Sequence, residues 1–487
     1  MATRLAIALL VLMAANGQAA DWKVRLFWLS RVTSAVVMVD GRAPVRLTVQ
    51  SRPMHFDGSY TLAVPGAETA RLASPLDVTV HDGRLLFTLA MPREEYVEAV
   101  LAGESSVFKA PQALQAMAVT ARSYALHFAG RHRMEGFDFC DTTHCQDARV
   151  AARSARLRAA VESTESEALW YQGNPAAAYY SRHCGGTTEA GEAPYLPSHP
   201  DRYCVTKGAG EWRTQLSAAE LKKAGLGLPV EIAERSRTGR VTAVRAGGRR
   251  LPVDALLGAI GENLGWNRLR SSWFTVYPAG DGSAFEGRGS GHGVGLCQAG
   301  AAVMGEQGLS YREILAYYFP ETKVGVNAQG FGWRVLGGER VDLWTTAGDS
   351  DGPLVALADR QLLRAEAASG WRGPQRVRLK LYPTVAAFRD ATGEPGTVAG
   401  STVAGTVRLQ PAAGLRSRGV VESTLLHEML HVVLETRTRP DVPVWFREGL
   451  AAALAGQRSS RVRPLIDRYG RETVMGWLSK GLPAVAR

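Results

Sequence analysis

The feature that most constrains this chain is the pattern His427-Glu428-Met429-Leu430-His431, H-E-x-x-H, set in a strongly apolar run. On a helix, residues four apart share a face, so both imidazoles can reach one metal ion. Glu428 falls on a neighbouring face, where it can take a proton from a water at that metal. Leu425, Leu426, Met429, Val432 and Val433 supply the apolar surface that buries such a helix, predicted over about Val420 to Leu434. A zinc ion that keeps one position open for water needs a third protein ligand, so a second element must pack beside the first. Pro443-Val444-Trp445-Phe446-Arg447-Glu448-Gly449-Leu450-Ala451 opens a second helix downstream. Its Glu448 lies far enough beyond His431 for the chain to turn and run alongside.

The rest of the chain is long enough for more than this one domain. At 487 residues, with 46% hydrophobic and 21% charged residues, the composition is that of folded soluble protein. Residues 1–19 read as a secretory signal: Arg4, then the apolar run Leu5 to Ala15, then small residues that place cleavage after Ala19 or Ala20. That run falls short of the roughly 20 residues needed to span a bilayer, which favours cleavage over an anchor. No later stretch is apolar and long enough to cross a membrane. The chain is therefore expected to be exported, to a periplasm, a cell envelope or the medium.

Beyond the signal, Val36 to Val39, Arg46 to Val49 and Arg84 to Leu89 read as short strands separated by Gly, Pro and Asp turns. Ala113 to Phe128 reads as a helix, and a mixed region follows, ending in the Gly-rich segment 287–300 and a helix over Tyr311 to Phe319. The glycines of 326–338 suggest a linker. After it come strand-like Val341 to Trp344, a helix around Leu357 to Ala368 and strand-like Arg376 to Tyr382. Strands and helices mixed without regular βαβ alternation argue for α+β domains. The expected division is 20–325, a linker at 326–338, and 339–487.

A net charge of +11 suits a partner of negative charge, such as a cell-wall polymer or anionic lipid. Its basic residues are spread along the chain, and no Lys/Arg-rich run points to nucleic acid. Five cysteines in an exported chain are open to disulfides, and the odd count leaves one free or several on a metal. His132, Cys140 and Cys145 are close enough in sequence for a small metal cluster, with His144 as a substitute for His132. A Cys140–Cys145 disulfide is the competing reading. Cys184 and Cys204 are the better disulfide pair, which leaves Cys297 alone. The segment Gly289-Ser290-Gly291-His292-Gly293-Val294-Gly295 is not a nucleotide loop, since it lacks the preceding strand and the following Lys-Ser/Thr.

Two resemblances extend this reading. H-E-x-x-H followed by P-x-W-x-x-E-G-x-A, together with the strand around Leu379 to Thr384 and a helix beginning at Phe388, resembles the gluzincin-type metallopeptidases, in particular the peptidase MA-like domains. The resemblance implies that His427, His431 and Glu448 bind zinc and that Glu428 is the general base. Zinc would polarise a scissile carbonyl and acidify its water.

Residues from about 22 to 322 resemble the family of the sporulation stage II protein D and the amidase enhancer. The segments that carry this are Glu95–Glu104 (EYVEAVLAGE), Ala113–Ala125 (ALQAMAVTARSYA), Cys140–Gln146 (CDTTHCQ), Cys184–Glu189 (CGGTTE) and Gly291–Ala301 (GHGVGLCQAGA). This resemblance implies a peptidoglycan lytic transglycosylase in which one glutamate, here Glu104, protonates the glycosidic oxygen. The same group then deprotonates the muramic acid 6-hydroxyl, closing a 1,6-anhydro ring. One carboxyl serving both steps needs a pKa raised by burial. It also implies a zinc held by one His and two Cys near His132, Cys140 and Cys145. His292 and Gln298 either line the glycan groove or form a structural turn. Glycan strands are the expected partner, with a cell-wall amidase as a second. The alternatives are a binding module that stimulates an amidase without cutting glycan, and a wall anchor for a zinc domain that is the only enzyme.

Overall fold

The computed structural model describes residues 21–392, 394–483 and 486. The signal read at 1–19 lies outside the described residues. The chain forms two compact units that divide between Gly330 and Phe331, and helices and strands are mixed in each, an α+β protein.

In the first unit, strand Trp22–Leu26 buries Trp22, Val24 and Leu26, and strand Arg84–Met91 buries Leu85, Phe87, Leu89 and Met91. This period of two is what a sheet with one covered face requires. The strands pair antiparallel, Val24 opposite Leu89 and Leu26 opposite Phe87, at the middle of a five-stranded sheet. Its edge strand Phe139–Cys140 runs parallel to Trp22–Leu26. A four-stranded antiparallel sheet, in the order Val45–Thr48, Ser34–Val39, Tyr60–Ala63, Ala70–Leu72, joins the same core.

Helix Arg93–Glu104 lies on that core through Tyr96, whose ring meets Trp22 edge-on at 5.2 Å and stacks on Phe139 at 5.0 Å. Helix Pro111–Phe128 starts on a proline, which suits the first turn, and is buried along most of its length. Its Arg122 is buried with it. The guanidinium holds Glu94 at 2.5 Å and 3.0 Å and donates to the Glu167 carbonyl at 2.8 Å, so its charge is paired. Residues 211–288 include a smaller lobe with its own core around Leu216, Leu221, Val244, Leu256 and Phe285. Two three-stranded sheets and helix Val253–Leu264 build it. Sequence alone left this region undivided.

The second unit is a five-stranded sheet in the order Arg334–Gly337, Val341–Thr345, Val377–Leu381, Thr406–Leu409, Gly400–Val403. The three inner strands are parallel and both edge strands antiparallel. Helix Gly352–Ser369 makes the crossover between the first two parallel strands, so this unit does contain one βαβ step. Helix Val421–Glu435 packs against helix Gly352–Ser369 and buries Leu425, Met429, Leu430, Val432 and Val433. The stretch read as a linker, 326–338, is not wholly one. It supplies the edge strand Arg334–Gly337, whose backbone is paired while its side chains stay largely exposed, so its residue pattern carried no strand signal. Among the described residues no helix is long and apolar enough to cross a membrane.

Candidate active site and metal centres

Glu104 ends helix Arg93–Glu104 and is half-buried. Its Oε1 accepts from the backbone N–H of Asp147 at 3.2 Å and from the Tyr180 hydroxyl at 3.4 Å. Its Oε2 accepts from the Gln298 side-chain amide at 3.2 Å. Four distant stretches of sequence thus meet at one carboxyl group. A Cβ at Gly103 would lie 2.0 Å from the Asp147 carbonyl oxygen, so only glycine lets the Asp147 loop close on this helix end. Strand Tyr180–Ser181 pairs with Leu296–Cys297, which sets Tyr180 beside the segment that leads into Gln298.

Burial pushes the Glu104 pKa up; the hydrogen bonds from Gln298 and Asp147 pull it back only in part, and the Asp147 charge adds to the rise. Tyr180 is held well above the usual phenol range, chiefly by burial, so it stays a proton donor. The Gln146 amide donates to the Tyr180 oxygen at 3.1 Å and completes a chain running from Gln146 through Tyr180 to Glu104. The Asp147 carboxylate turns instead to Arg149, at 3.1 Å. The result is a protonatable carboxyl group held by neutral donors.

Of the residues singled out from sequence, the structure brings Gln298 into direct contact with Glu104. His292 flanks the site: its Nδ1 accepts from the Val294 N–H at 3.1 Å, and its ring meets Tyr179 edge-on at 6.0 Å. Tyr180 and Asp147 were missed. Their only local signals are an aromatic pair just before Cys184-Gly185-Gly186 and an acid just after Cys145-Gln146. A surface cavity of about 890 Å³ lies in the 211–288 lobe, lined by Trp212, Arg213 and Trp273 among others, and Glu104 is not part of it.

All five cysteines are free thiols. Cys140 and Cys145 form no disulfide; with His132 and His144 they place four ligand atoms within 4.8 Å of one another. Both histidines take part, where sequence offered one as a substitute for the other. Cys145 Sγ is 3.4 Å from His132 Nε2 and 3.8 Å from His144 Nδ1, and Cys140 Sγ is 3.7 Å from His144 Nδ1. Nitrogen and sulfur ligands on one tetrahedral zinc stand about 3.5 Å apart, so the four donors fit such an ion. The Glu135 carboxylate meets His132 Nδ1 at 2.6 Å and leaves Nε2 to face the sulfurs. This cluster immediately precedes Gln146 and Asp147, on the loop that reaches Glu104. The expected Cys184–Cys204 disulfide is likewise absent, and Cys297 is not alone, since it stands with them.

In the second unit the H-E-x-x-H helix delivers its side chains as their spacing requires. His427 Nε2 and His431 Nε2 are 3.1 Å apart. Glu448, on helix Val444–Leu454, reaches His427 Nε2 and His431 Nε2 at 3.4 Å each. Three donors on a tetrahedral zinc with bonds near 2.0–2.1 Å would stand about 3.3 Å apart, so this set fits as well. His427 Nδ1 is 3.0 Å from the Gln457 amide oxygen, which fixes the ring with Nε2 inward. Burial opposes charge on Glu448, but hydrogen bonds from His427 and His431 outweigh it and hold the carboxyl far below its usual range. Glu428 neighbours this donor set without belonging to it. It is buried, accepts from the Thr402 hydroxyl at 2.8 Å, and its pKa is pushed up by burial. A buried carboxyl group of raised pKa thus stands next to a convergent set of two imidazoles and one carboxylate.

Residues 81–171, which hold Glu104, the His132 cluster and Asp147, match the SpoIID family model, described as Stage II sporulation protein. The chain is 32% identical over 238 residues to an uncharacterized protein of Brachyspira hyodysenteriae, covering 46% of this chain and 64% of that one. It is 28% identical over 320 residues to Stage II sporulation protein D of Bacillus amyloliquefaciens, covering 58% of this chain and 89% of that one. To the amidase enhancer of Bacillus subtilis it is 24% identical over 289 residues, 46% of this chain and 40% of that one.

Proposed function

We propose that this chain, which carries a SpoIID domain, cleaves the glycan strands of peptidoglycan with Glu104 as its single acid–base group. The observation that carries the proposal is a half-buried carboxyl group of raised pKa, held by three neutral donors while the nearby Asp147 carboxylate is turned to Arg149. Two-carboxylate glycosidases need a second free carboxylate across the bond, and this arrangement does not offer Asp147 for that role. Relatives named for sporulation and for amidase enhancement support a cell-wall role. The net charge of +11 favours an anionic polymer, and the leader read at 1–19 suits export to the cell envelope.

In the reaction, protonated Glu104 gives its proton to the glycosidic oxygen as the bond from C1 to that oxygen breaks. Tyr180, Gln298 and the Asp147 N–H steady the carboxylate that results. That carboxylate takes the proton of the muramic acid 6-hydroxyl, whose oxygen bonds to C1 and closes the 1,6-anhydro ring. Glu104 ends protonated, ready for the next cut, and no water is consumed.

The second unit supports a zinc-dependent peptidase-like role. His427, His431 and Glu448 would hold the ion, which when bound polarises a carbonyl and acidifies a water. Glu428, buried and bonded to Thr402, would serve as the base that takes the water's proton and passes it to a leaving amine. The amidase enhancer relative favours a second reading, in which the first unit binds glycan and assists a separate amidase. Digestion of strands stripped of stem peptides separates the two. Wild type is expected to yield 1,6-anhydromuramyl ends by mass spectrometry. Glu104→Gln is expected to lose at least about 100-fold of that activity while retaining strand binding, because an amide keeps the shape but exchanges no proton. Strand binding without any cleavage by wild type would select the binding-module reading.

A further inference from the structure

Three cysteines outside the His132 cluster converge in the first unit. Cys184 opens the Cys184-Gly185-Gly186 turn, Cys204 begins the short turn Cys204–Lys207, and Cys297 ends strand Leu296–Cys297. With Asp201 they place three sulfurs and a carboxylate oxygen within 4.8 Å of one another. Asp201, Cys184 and Cys297 are 0% exposed and Cys204 is 2% exposed.

The carboxylate is held in place by neighbours rather than by an opposite charge. Asp201 Oδ1 accepts from the N–H groups of Tyr203 and Cys204 at 3.1 Å and 3.0 Å, and Oδ2 accepts from the Tyr318 hydroxyl at 2.9 Å. Among the described residues it makes no ion pair. The same Oδ2 lies 3.4 Å from Cys184 Sγ, about the separation of oxygen and sulfur ligands on one tetrahedral zinc. The Cys184 N–H donates to Cys297 Sγ at 3.2 Å, as the Cys140 N–H does to Cys145 Sγ at 3.3 Å, an outer contact that stabilises a thiolate. Arg240, itself buried, donates to the Cys184 carbonyl at 2.6 Å and brings a positive charge beside the cluster. A Cβ at Gly300 would lie 2.6 Å from Asp201 Oδ2 and 2.1 Å from the Tyr318 oxygen, so helix Gln298–Glu306 is cut to fit this carboxylate. Three thiols cannot pair off as disulfides. Soft sulfur donors with one carboxylate in tetrahedral reach select a zinc-class ion over calcium or magnesium.

We propose that Cys184, Asp201, Cys204 and Cys297 form a buried, thiolate-rich site for a tetrahedral zinc-class metal ion that ties together the segments carrying Tyr180 and Gln298. Binding releases the thiol protons to solvent. Cys297 is bonded to Gln298, and its strand pairs with the strand of Tyr180, so the ion would brace two of the three donors to Glu104.

The test uses the full chain with Cys140→Ser and Cys145→Ser, loaded with cobalt(II). The H-E-x-x-H site has no sulfur, so any sulfur-to-cobalt charge-transfer absorption then reports the new site alone. We expect that band, saturating by two equivalents because the H-E-x-x-H site also takes cobalt, and its loss on adding Cys204→Ser. Asp201→Asn keeps the three thiolates and should retain the band while shifting the cobalt ligand-field spectrum. In wild type, alkylation in denaturant with chelator and no reductant should label Cys184, Cys204 and Cys297. No charge-transfer band in the folded double variant would overturn the proposal. So would a wild-type mass lower by two hydrogens with any two of these three cysteines resisting label, which would mean a disulfide.

Discussion

Burial and three hydrogen-bond donors set the acidity of Glu104, and the two side-chain donors, Tyr180 and Gln298, can be removed singly. Burial raises its pKa, while the Gln298 amide lowers it by bonding the charged form. The first step needs the protonated acid, so kcat/KM for glycan cleavage should fall as pH rises through that raised value. The falling limb should therefore lie above the ordinary carboxylate range. Gln298→Leu removes a donor to the charged form, so the limb should move to still higher pH, with a smaller loss of rate than Glu104→Gln shows. A pH–rate profile of the two proteins checks this, and a limb that stays in place or moves down would contradict it. A variant that was merely misfolded would lose rate without moving the limb.

Among the elements, the H-E-x-x-H helix was the most legible, because period and chemistry agree. It was expected over Val420 to Leu434 and is found at Val421–Glu435. In the full chain, His427→Ala should lose one equivalent of zinc relative to wild type, and Glu428→Gln should lose none, since Glu428 bonds Thr402 and is not one of the three convergent donors. Equal zinc in wild type and His427→Ala would contradict this. Helix Pro111–Phe128 was also visible from its apolar spacing, but the role of its Arg122 was not. Nothing local shows that a buried guanidinium will meet Glu94 from the preceding helix and the Glu167 carbonyl. Arg122→Met removes the cation that Glu94 and the Glu167 carbonyl share and should destabilise the first unit by about 3 kcal/mol, read from the denaturant midpoint. The partners of Glu104 were half legible. Gln298 sat in a glycine-rich motif that drew attention, while Tyr180 and Asp147 owe their roles to chain crossings that no spacing encodes. Strand Arg334–Gly337 was mistaken for linker because an exposed edge strand has no buried face to pattern. The thiol cluster was misread as a disulfide and a lone cysteine because Cys297 is far from Cys184 and Cys204 in sequence.

Each of the two compact units has its own core and its own set of convergent side chains. On the function proposed above, the first unit cuts glycan by internal ring closure, with Glu104 returning the proton it gave. Water takes no part in that bond change, and this is what separates it from hydrolysis. Glycan strands digested by the full chain in ¹⁸O-labelled water, with product ends read by mass spectrometry, test it most directly. We expect 1,6-anhydro ends free of label, from wild type and from Glu428→Gln alike, and none from Glu104→Gln. Reducing ends that carry ¹⁸O would contradict it, because water would then be the nucleophile.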